Sequence, residues 1–161
     1  MSNLNSEYSF VPPSIRLLFD NSQLEMIKTL SLLYSFYQKS KRKFVKISDI
    51  VFYYSLVNFG MIKLIETNEE KGEVSRNLYY RYQQEINQII LEMVHLDFIE
   101  VKGTVSSTSS QLGVRLTQQG NEFIESLEID YFSGLIDEYS IIIDLIDNNT
   151  ENKNKLKGVI K

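Results

Sequence analysis

Apolar residues recur at spacings of three and four over two long segments, which is typical of helices that bury one face. The first segment runs from Ser22 to about Gln38, and the other carries its stripe on Leu78, Tyr82, Ile86, Ile89, Ile90, Met93 and Leu96. Between them a helix is predicted from its ends: Ser48 and Asp49 suit an N-cap and a first turn, the helix runs to about Asn58, and Gly60 favours a stop. The sequence therefore predicts three helices before residue 97, of which the first and third are amphipathic.

Short strands are predicted on either side of a polar loop that follows the third helix. They span Phe98–Lys102 and Gln111–Leu116, while Phe44, Val45 and Ile47 indicate a short edge strand after the first helix. This order of helices, strands and loop is that of a winged helix. We therefore predict a mainly α fold with a small β-wing, a winged helix-turn-helix with a long C-terminal helix. A plain helical bundle that carries a hairpin is the alternative.

The long last helix is predicted to begin after Thr117, its N-cap, and to bend at Ser133 and Gly134. Its segment "LIDEYSIIIDLID" is apolar on nearly all sides over one or two turns. A single small domain has difficulty burying all the apolar residues of such a helix. A partner protein or a second copy of the chain is therefore one candidate for burying them. The alternative is that the helix folds back onto the first helix.

Domain boundaries follow from composition. Residues 1–14 are predicted to form a flexible N-terminal arm, because the first nine residues are polar and the prolines of "FVPPSIRLLFDN" bias their neighbours toward extended geometry. Residues 15–147 are predicted to form the winged-helix domain with its extended C-terminal helix. Residues 148–161 are polar and are predicted to be a disordered tail.

The composition argues against catalysis. The chain of 161 residues has no cysteine and one histidine, which rules out thiol nucleophiles, disulfides and multi-histidine metal centres. His95 ends the third helix, where a protonated imidazole suits the helix dipole, and no phosphate-binding loop or nucleophile motif accompanies it. We predict no enzymatic activity, no cofactor and no small-molecule substrate. The lack of a long uncharged apolar run predicts a cytoplasmic protein without membrane contact.

Charge disfavours DNA recognition by the predicted third helix and wing. From Val74 to Glu128 there are four basic residues against seven acidic ones, and the wing from Gly103 to Gln111 has neither lysine nor arginine. About fifteen residues separate the second and third helices, whereas a DNA-reading pair is usually joined by three or four. These features favour protein binding, and a DNA-binding regulator remains the second hypothesis, with Arg81, Asn87 and Gln88 reading bases.

A cluster of basic residues in "KSKRKFVK" is the strongest argument for nucleic-acid binding. The candidate nucleic-acid contacts are Lys39, Lys41, Arg42, Lys43 and Lys46, together with Arg81 of the third helix. The alternative is a solvated turn whose lysines discourage edge-to-edge strand pairing.

Paired tyrosines and the last helix provide the candidate partner interface. Adjacent tyrosines on a helix cannot all face one core, and a ring with a polar tip suits an interface, although half-buried packing is the alternative. The predicted interface residues are Tyr53, Tyr54, Tyr79, Tyr80, Tyr131, Leu135, Tyr139 and Ile142.

Four stretches together resemble the middle component of bacterial ABC-three-component systems, the group that includes Lamassu-type antiphage defence. They are "LLFDNSQLEMIKTLSLLYSFY", "ISDIVFYYSLVNFG", "LYYRYQQEINQIILEMVHLDFIEVKG" and "LTQQGNEFIESLEIDYF". The resemblance covers about residues 15–145 and rests on the order of apolar and aromatic stretches.

The resemblance implies a winged-helix accessory subunit that accompanies an SMC-like ATPase and an effector, often a nuclease. It implies that the ATPase senses DNA and that the effector is restrained until activation. We therefore expect a non-enzymatic adaptor that links the ATPase to the effector, with at most weak or indirect contact to DNA.

Overall fold

The computed structural model describes residues 11–18, 21–67, 73–103 and 111–158, and these form a mainly helical fold with a small antiparallel sheet. The helices are α1 Pro13–Leu18, α2 Asn21–Lys39, α3 Ile47–Asn58, α4 Ile62–Thr67, α5 Glu73–His95, α6 Gln118–Ser126, α7 Asp130–Leu145 and α8 Thr150–Lys157. The strands are β1 Val45–Lys46, β2 Ile99–Lys102 and β3 Gly113–Leu116.

The three predicted helices correspond to α2, α3 and α5. On α5 the stripe from Tyr82 to Met93 is buried as predicted, whereas Leu78 is half-buried and Leu96 is exposed. Leu96 leaves the core because α5 ends at His95 and Asp97, in a left-handed conformation (φ 58°), redirects the chain into β2. The core therefore lies between α2, α3 and the buried face of α5.

The sheet has the strand order β1-β3-β2, and both pairs are antiparallel. Val45 pairs with Val114 and Ile99 pairs with Leu116, and all four side chains are buried. Side chains alternate along a strand, so Lys46, Glu100, Lys102 and Arg115 lie on the other face, the outer face of the sheet. Thr117 caps α6 as predicted, since its hydroxyl accepts from the Gly120 amide at 3.1 Å.

The predicted N-cap of the second helix is corrected by two residues. Ile47 was expected in the edge strand and Ser48 at the N-cap, but α3 begins at Ile47 and Lys46 is its N-cap without a side-chain hydrogen bond. Asp49 lies in the first turn as predicted. Gly60 adopts a positive φ of 63° and separates α3 from α4.

The N-terminal arm is also corrected. The extended segment predicted around the two prolines is the helix α1, because Pro13 occupies the first helical turn, where its missing N–H costs no hydrogen bond. Val11 and Ile15 are buried in the core, so the arm does not reach residue 14. Residues 1–10 of the predicted arm lie outside the described residues.

The predicted long C-terminal helix is two helices. The chain leaves the helical conformation after Ser126, where Leu127 and Ile129 are extended, and α7 begins at Asp130. The bend predicted at Gly134 is wrong, since this residue lies within α7. The extended segment allows α7 to turn back and pack against α2 and α3.

The tail predicted to be disordered contains α8 instead. Asn149 caps its first turn by accepting from the Asn152 amide at 2.8 Å, and Gly158 ends it in a left-handed conformation. Leu156 is fully buried where α8 packs against α4 and α5. One buried leucine and two good caps thus order a segment whose composition is polar. Residues 159–161 lie outside the described residues.

Among the helices that the structure describes, none combines the length and the apolar character needed to cross a bilayer.

Replacing Leu156 by alanine is expected to lower the free energy of unfolding by about 2–4 kcal/mol, because it leaves a cavity under α8. Leu145→Ala is the matched control, since Leu145 is 71% exposed, and it should change stability by less than about 0.5 kcal/mol. Urea denaturation of the two variants measures both effects. Equal stabilities would mean that α8 does not pack as described.

Candidate protein-binding and nucleic-acid-binding surfaces

Hydrogen bonds from buried side chains hold α7 in place. The Tyr139 hydroxyl is fully buried, donates to the Lys28 carbonyl oxygen at 3.1 Å and accepts from Asn58 Nδ2 at 2.6 Å. Asn58 Nδ2 also donates to the Tyr54 carbonyl oxygen at 3.0 Å. A buried polar group without such a partner costs free energy, so these bonds fix the position of α7 against α2 and α3.

A stacked tyrosine pair forms the centre of the core. The rings of Tyr54 and Tyr82 lie 3.8 Å apart and almost parallel, and the Tyr82 hydroxyl shares a hydrogen bond of 2.8 Å with the Thr29 hydroxyl. Burial raises the pKa of Tyr54, Tyr82 and Tyr139 above the ordinary tyrosine value. The three hydroxyls therefore remain protonated at neutral pH, and they act as packing and hydrogen-bonding groups.

Most of the predicted partner interface is part of this core. The prediction is wrong for six of its eight residues, which are buried: Tyr53, Tyr54, Tyr79, Leu135, Tyr139 and Ile142. For Leu135, Tyr139 and Ile142 the physical reason is that α7 folds back onto α2 and α3, which was the alternative for the last helix. Tyr80 is 41% exposed, as expected of one member of its cluster, and Tyr131 is half-buried.

A cleft of about 480 Å³ separates the end of α3 from the start of α7. Its lining includes Asp130, Tyr131 and Glu138, and burial raises the pKa of Glu138. The lining has no imidazole or thiol to act beside these carboxyl groups. Within the residues that the structure describes, no three side chains of the metal-ligating types are grouped closely enough to hold an ion. His95, the only imidazole of the chain, is exposed at the end of α5.

Most of the exposed residues of α5 carry no formal charge, although Glu73 and Arg81 are exposed on the same helix. Seven of the uncharged ones are Asn77, Tyr80, Gln84, Asn87, Gln88, Leu91 and Val94, which we name the outer α5 face. Leu91 is 54% exposed and Val94 is 39% exposed. Interface cores are depleted in charged residues and enriched in aromatic ones. The composition of the outer α5 face therefore suits contact with another protein.

Arg81, which was predicted to contact nucleic acid, lies beside this face and is held by two carboxylates. Its Nε lies 3.2 Å from Glu85 Oε1, and its Nη2 lies 4.0 Å from Glu25 Oε1. Burial and the negative charge of Glu85 raise the pKa of Glu25 to about 7, although Arg81 and Lys28 oppose the shift. A phosphate would have to compete for Arg81 with the Glu85 carboxylate, and also with Glu25 when Glu25 is ionised.

The other predicted nucleic-acid contacts lie together near β1 and are exposed. Lys39 pairs with Asp144 at 2.8 Å, and the Lys41 ammonium lies 6.0 Å from the centre of the Tyr37 ring. Arg42, Lys43 and Lys46 form no ion pair with any carboxylate of the described ranges. The structure thus brings the predicted cluster together on one surface, apart from Arg81.

Two further cations, from β2 and β3, join the same surface. Lys102 and Arg115 lie 5.5 and 4.2 Å from the centre of the Phe44 ring, and Arg115 also donates to the Arg42 carbonyl oxygen at 3.1 Å. Sequence reasoning missed Lys102 and Arg115 as candidates because they are distant from the cluster along the chain. The alternation of side chains along the predicted strands indicates which residues share a face of each strand. It does not reveal that β1 pairs with β3, which brings Lys102 and Arg115 next to the cluster.

No protein-family model, curated protein or solved structure gives a significant match to this chain.

The raised pKa of Glu25 predicts a pH dependence of stability. A carboxyl group with an ordinary value of 4.5 and a value of about 7 in the folded state binds more protons when folded, so stability must fall as the pH rises between these values. We expect a loss of about 1–2 kcal/mol between about pH 5 and pH 8, after allowance for partial exposure of the pair.

Glu25→Gln should remove most of this loss, because an amide keeps the shape and does not titrate. Glu128→Gln, at an exposed glutamate, is the control and should retain it. Urea denaturation over this pH range measures the effect. If the free energy of unfolding of Glu25→Gln fell with pH as steeply as that of the wild type, Glu25 would not be the group responsible.

Proposed function

We propose that this chain is a non-enzymatic accessory subunit, built as a winged helix, that binds protein partners through the outer α5 face. The partners we propose are an SMC-like ATPase and a nuclease-type effector of a bacterial antiphage defence system acting in the cytoplasm. Their identity rests on the resemblance to the middle component of ABC-three-component systems. The choice of a protein rather than DNA as the main partner rests on the chemistry of α5.

The order of elements supports the winged-helix assignment. Helices α2, α3 and α5 precede the β2–β3 hairpin, and β1 pairs with the edge of β3 that is opposite to β2. In a DNA-binding winged helix the third of these helices enters the major groove. Helix α5 occupies that position in the chain. The chemistry of its exposed side therefore decides between binding of protein and binding of DNA.

The observation that carries the proposal is the lack of usable positive charge on this side. Groove binding requires several cations placed to neutralise phosphates. Arg81 is paired with Glu25 and Glu85, and α5 also carries Glu73 and Glu92. A phosphate backbone laid along α5 would meet these carboxylates. A protein would instead cover Leu91 and Val94 and bond to the exposed amides.

A rigid helix also suits the transmission of movement between partners. The opposite side of α5 is buried along its length, from Ser75 to Met93, so α5 moves only with the core. When an ATPase displaces the outer α5 face, the core would move with α5, so the displacement would be passed on to the effector. In this proposal the subunit transmits a change by altering which partner surface it covers.

A second candidate function is sequence-selective DNA binding by a transcriptional regulator. Asn87 and Gln88 are exposed on the outer α5 face, and both residue types form paired hydrogen bonds with adenine in the major groove. If this function is correct, the isolated protein binds one duplex sequence selectively at physiological salt, and Asn87→Ala with Gln88→Ala abolishes the selectivity. Electrophoretic mobility shifts with a random-sequence duplex library measure this.

The adaptor proposal predicts that L91E/V94E abolishes co-purification with the products of the neighbouring genes. Two carboxylates placed in an apolar contact would be buried without partners, and we expect at least about a hundredfold loss of affinity. Calorimetry or pull-down with the purified partner measures the loss.

I141E/L145E is the matched control, because Ile141 and Leu145 are 57% and 71% exposed on α7. This variant should bind normally, and both variants should keep the thermal unfolding midpoint of the wild type. Loss of binding in the control and not in L91E/V94E would move the interface from α5 to α7. A stable wild-type monomer that binds none of these proteins would contradict the proposal itself.

A further inference from the structure

One surface of this acidic protein is strongly basic. The whole chain has a net charge of −4, yet a turn and the outer face of the sheet bring together Lys41, Arg42, Lys43, Lys46, Lys102 and Arg115, which we name the basic sheet surface. Arg115 pairs with Glu100 at 2.6 Å. The other five cations form no ion pair with a carboxylate among the described residues.

The strand register sets the spacing of these cations. Lys46 of β1 and Lys102 of β2 both pair with Gly113 of the central strand. Neighbouring strands lie about 4.8 Å apart, so the backbones of the two lysines are about 10 Å apart across the sheet. The turn from Lys41 to Lys43 extends the same surface beyond the end of β1.

Phe44 holds part of this surface in position. A Cβ at Gly113 would lie 2.8 Å from the Phe44 Cβ, so only glycine lets Phe44 lie this close to the central strand. Lys102 and Arg115 both lie over the Phe44 ring, and cation–π contact restricts their positions. Two of the cations are thus ordered before any ligand binds.

The surface has few features that would anchor a peptide or a membrane. Most protein and peptide interfaces are anchored by buried apolar or aromatic side chains, and peripheral membrane binding adds apolar insertion to electrostatic attraction. Among the described residues, Val101 is the only large exposed apolar residue in the sheet, and it pairs with the buried Val114 on the inner face. The sequence from Gly103 to Gln111, which links β2 and β3, carries no acidic residue. Repeated positive charge without an anchor matches a polymer of regularly spaced phosphates.

We propose that the basic sheet surface binds the phosphate backbone of a nucleic acid without reading its sequence. The proposal goes beyond the adaptor function, because it uses no residue of the outer α5 face. One subunit would then contact a protein through α5 and hold nucleic acid through the sheet and the turn. Such binding is salt-dependent and is tolerant of sequence, since its free energy comes from release of counterions.

The test compares two double charge reversals that change the net charge of the protein equally. K41E/K43E alters the basic sheet surface, and K63E/K157E alters exposed lysines on α4 and α8. Fluorescence anisotropy with labelled random-sequence duplex DNA and duplex RNA measures affinity from about 50 to about 200 mM NaCl.

We expect wild-type dissociation constants of about 1–100 μM. K41E/K43E should weaken binding at least about tenfold and should reduce the slope of log affinity against log salt by about 2, because two phosphate contacts are lost. K63E/K157E should stay within about twofold of the wild type, since salt screens distant charges. Similar affinities for duplex DNA and duplex RNA would support recognition of phosphate.

K46Q/K102Q is a second variant, which adds no negative charge, and it should also weaken binding. It keeps the proposal testable if K41E/K43E does not fold. The proposal is overturned if neither variant weakens binding, or if K63E/K157E weakens it equally. It is also overturned if a polyglutamate peptide binds as tightly as the duplexes. Binding that survives K41E/K43E and is lost in N87A/Q88A would place the nucleic acid on α5 and overturn it as well.

Discussion

Buried tyrosine hydroxyls must find hydrogen-bond partners, and this requirement fixes where α7 lies. The Tyr139 hydroxyl bonds to Lys28 of α2 and Asn58 of α3, and the Tyr53 hydroxyl donates to the Ile146 carbonyl oxygen at 2.7 Å. Moving α7 away from α2 and α3 would leave these groups unpaired and expose the apolar side of α7. The side of α7 that carries Phe132, Leu135, Tyr139 and Ile142 is therefore buried within the subunit. Partners must use the surfaces that remain.

The remaining surfaces differ in charge. The outer α5 face is uncharged, and the cation beside it is paired with acids, whereas the basic sheet surface has five cations that the described carboxylates leave unpaired. Charge therefore separates a surface suited to protein from one suited to phosphate, although the chain as a whole is acidic. The two surfaces come from the same strand and helix order, which explains how one small fold could serve both partners.

The sequence predicted the elements whose pattern is local and missed those that depend on distant contacts. The α5 stripe from Tyr82 to Met93 and the Thr117 cap follow from spacing and residue type, and both are confirmed. Over one or two turns helix α7 is apolar on nearly all sides, so the periodicity there could not show which face is buried. One leucine, Leu156, orders α8 within a polar tail, and composition cannot reveal a single contact. The surface around Phe44 depends on the pairing of β1 with β3, which no local pattern records.

Side-chain footprinting of the protein with and without the partner we propose, an SMC-like ATPase, tests the central claim most directly. The claim is that α5, and not α7, presents the protein-binding surface. We expect Tyr80 and Leu91 to lose most of their reactivity when the ATPase binds, and Ile141 and Leu145 to keep theirs. Unchanged reactivity of Tyr80 and Leu91 in a complex that has demonstrably formed would contradict it.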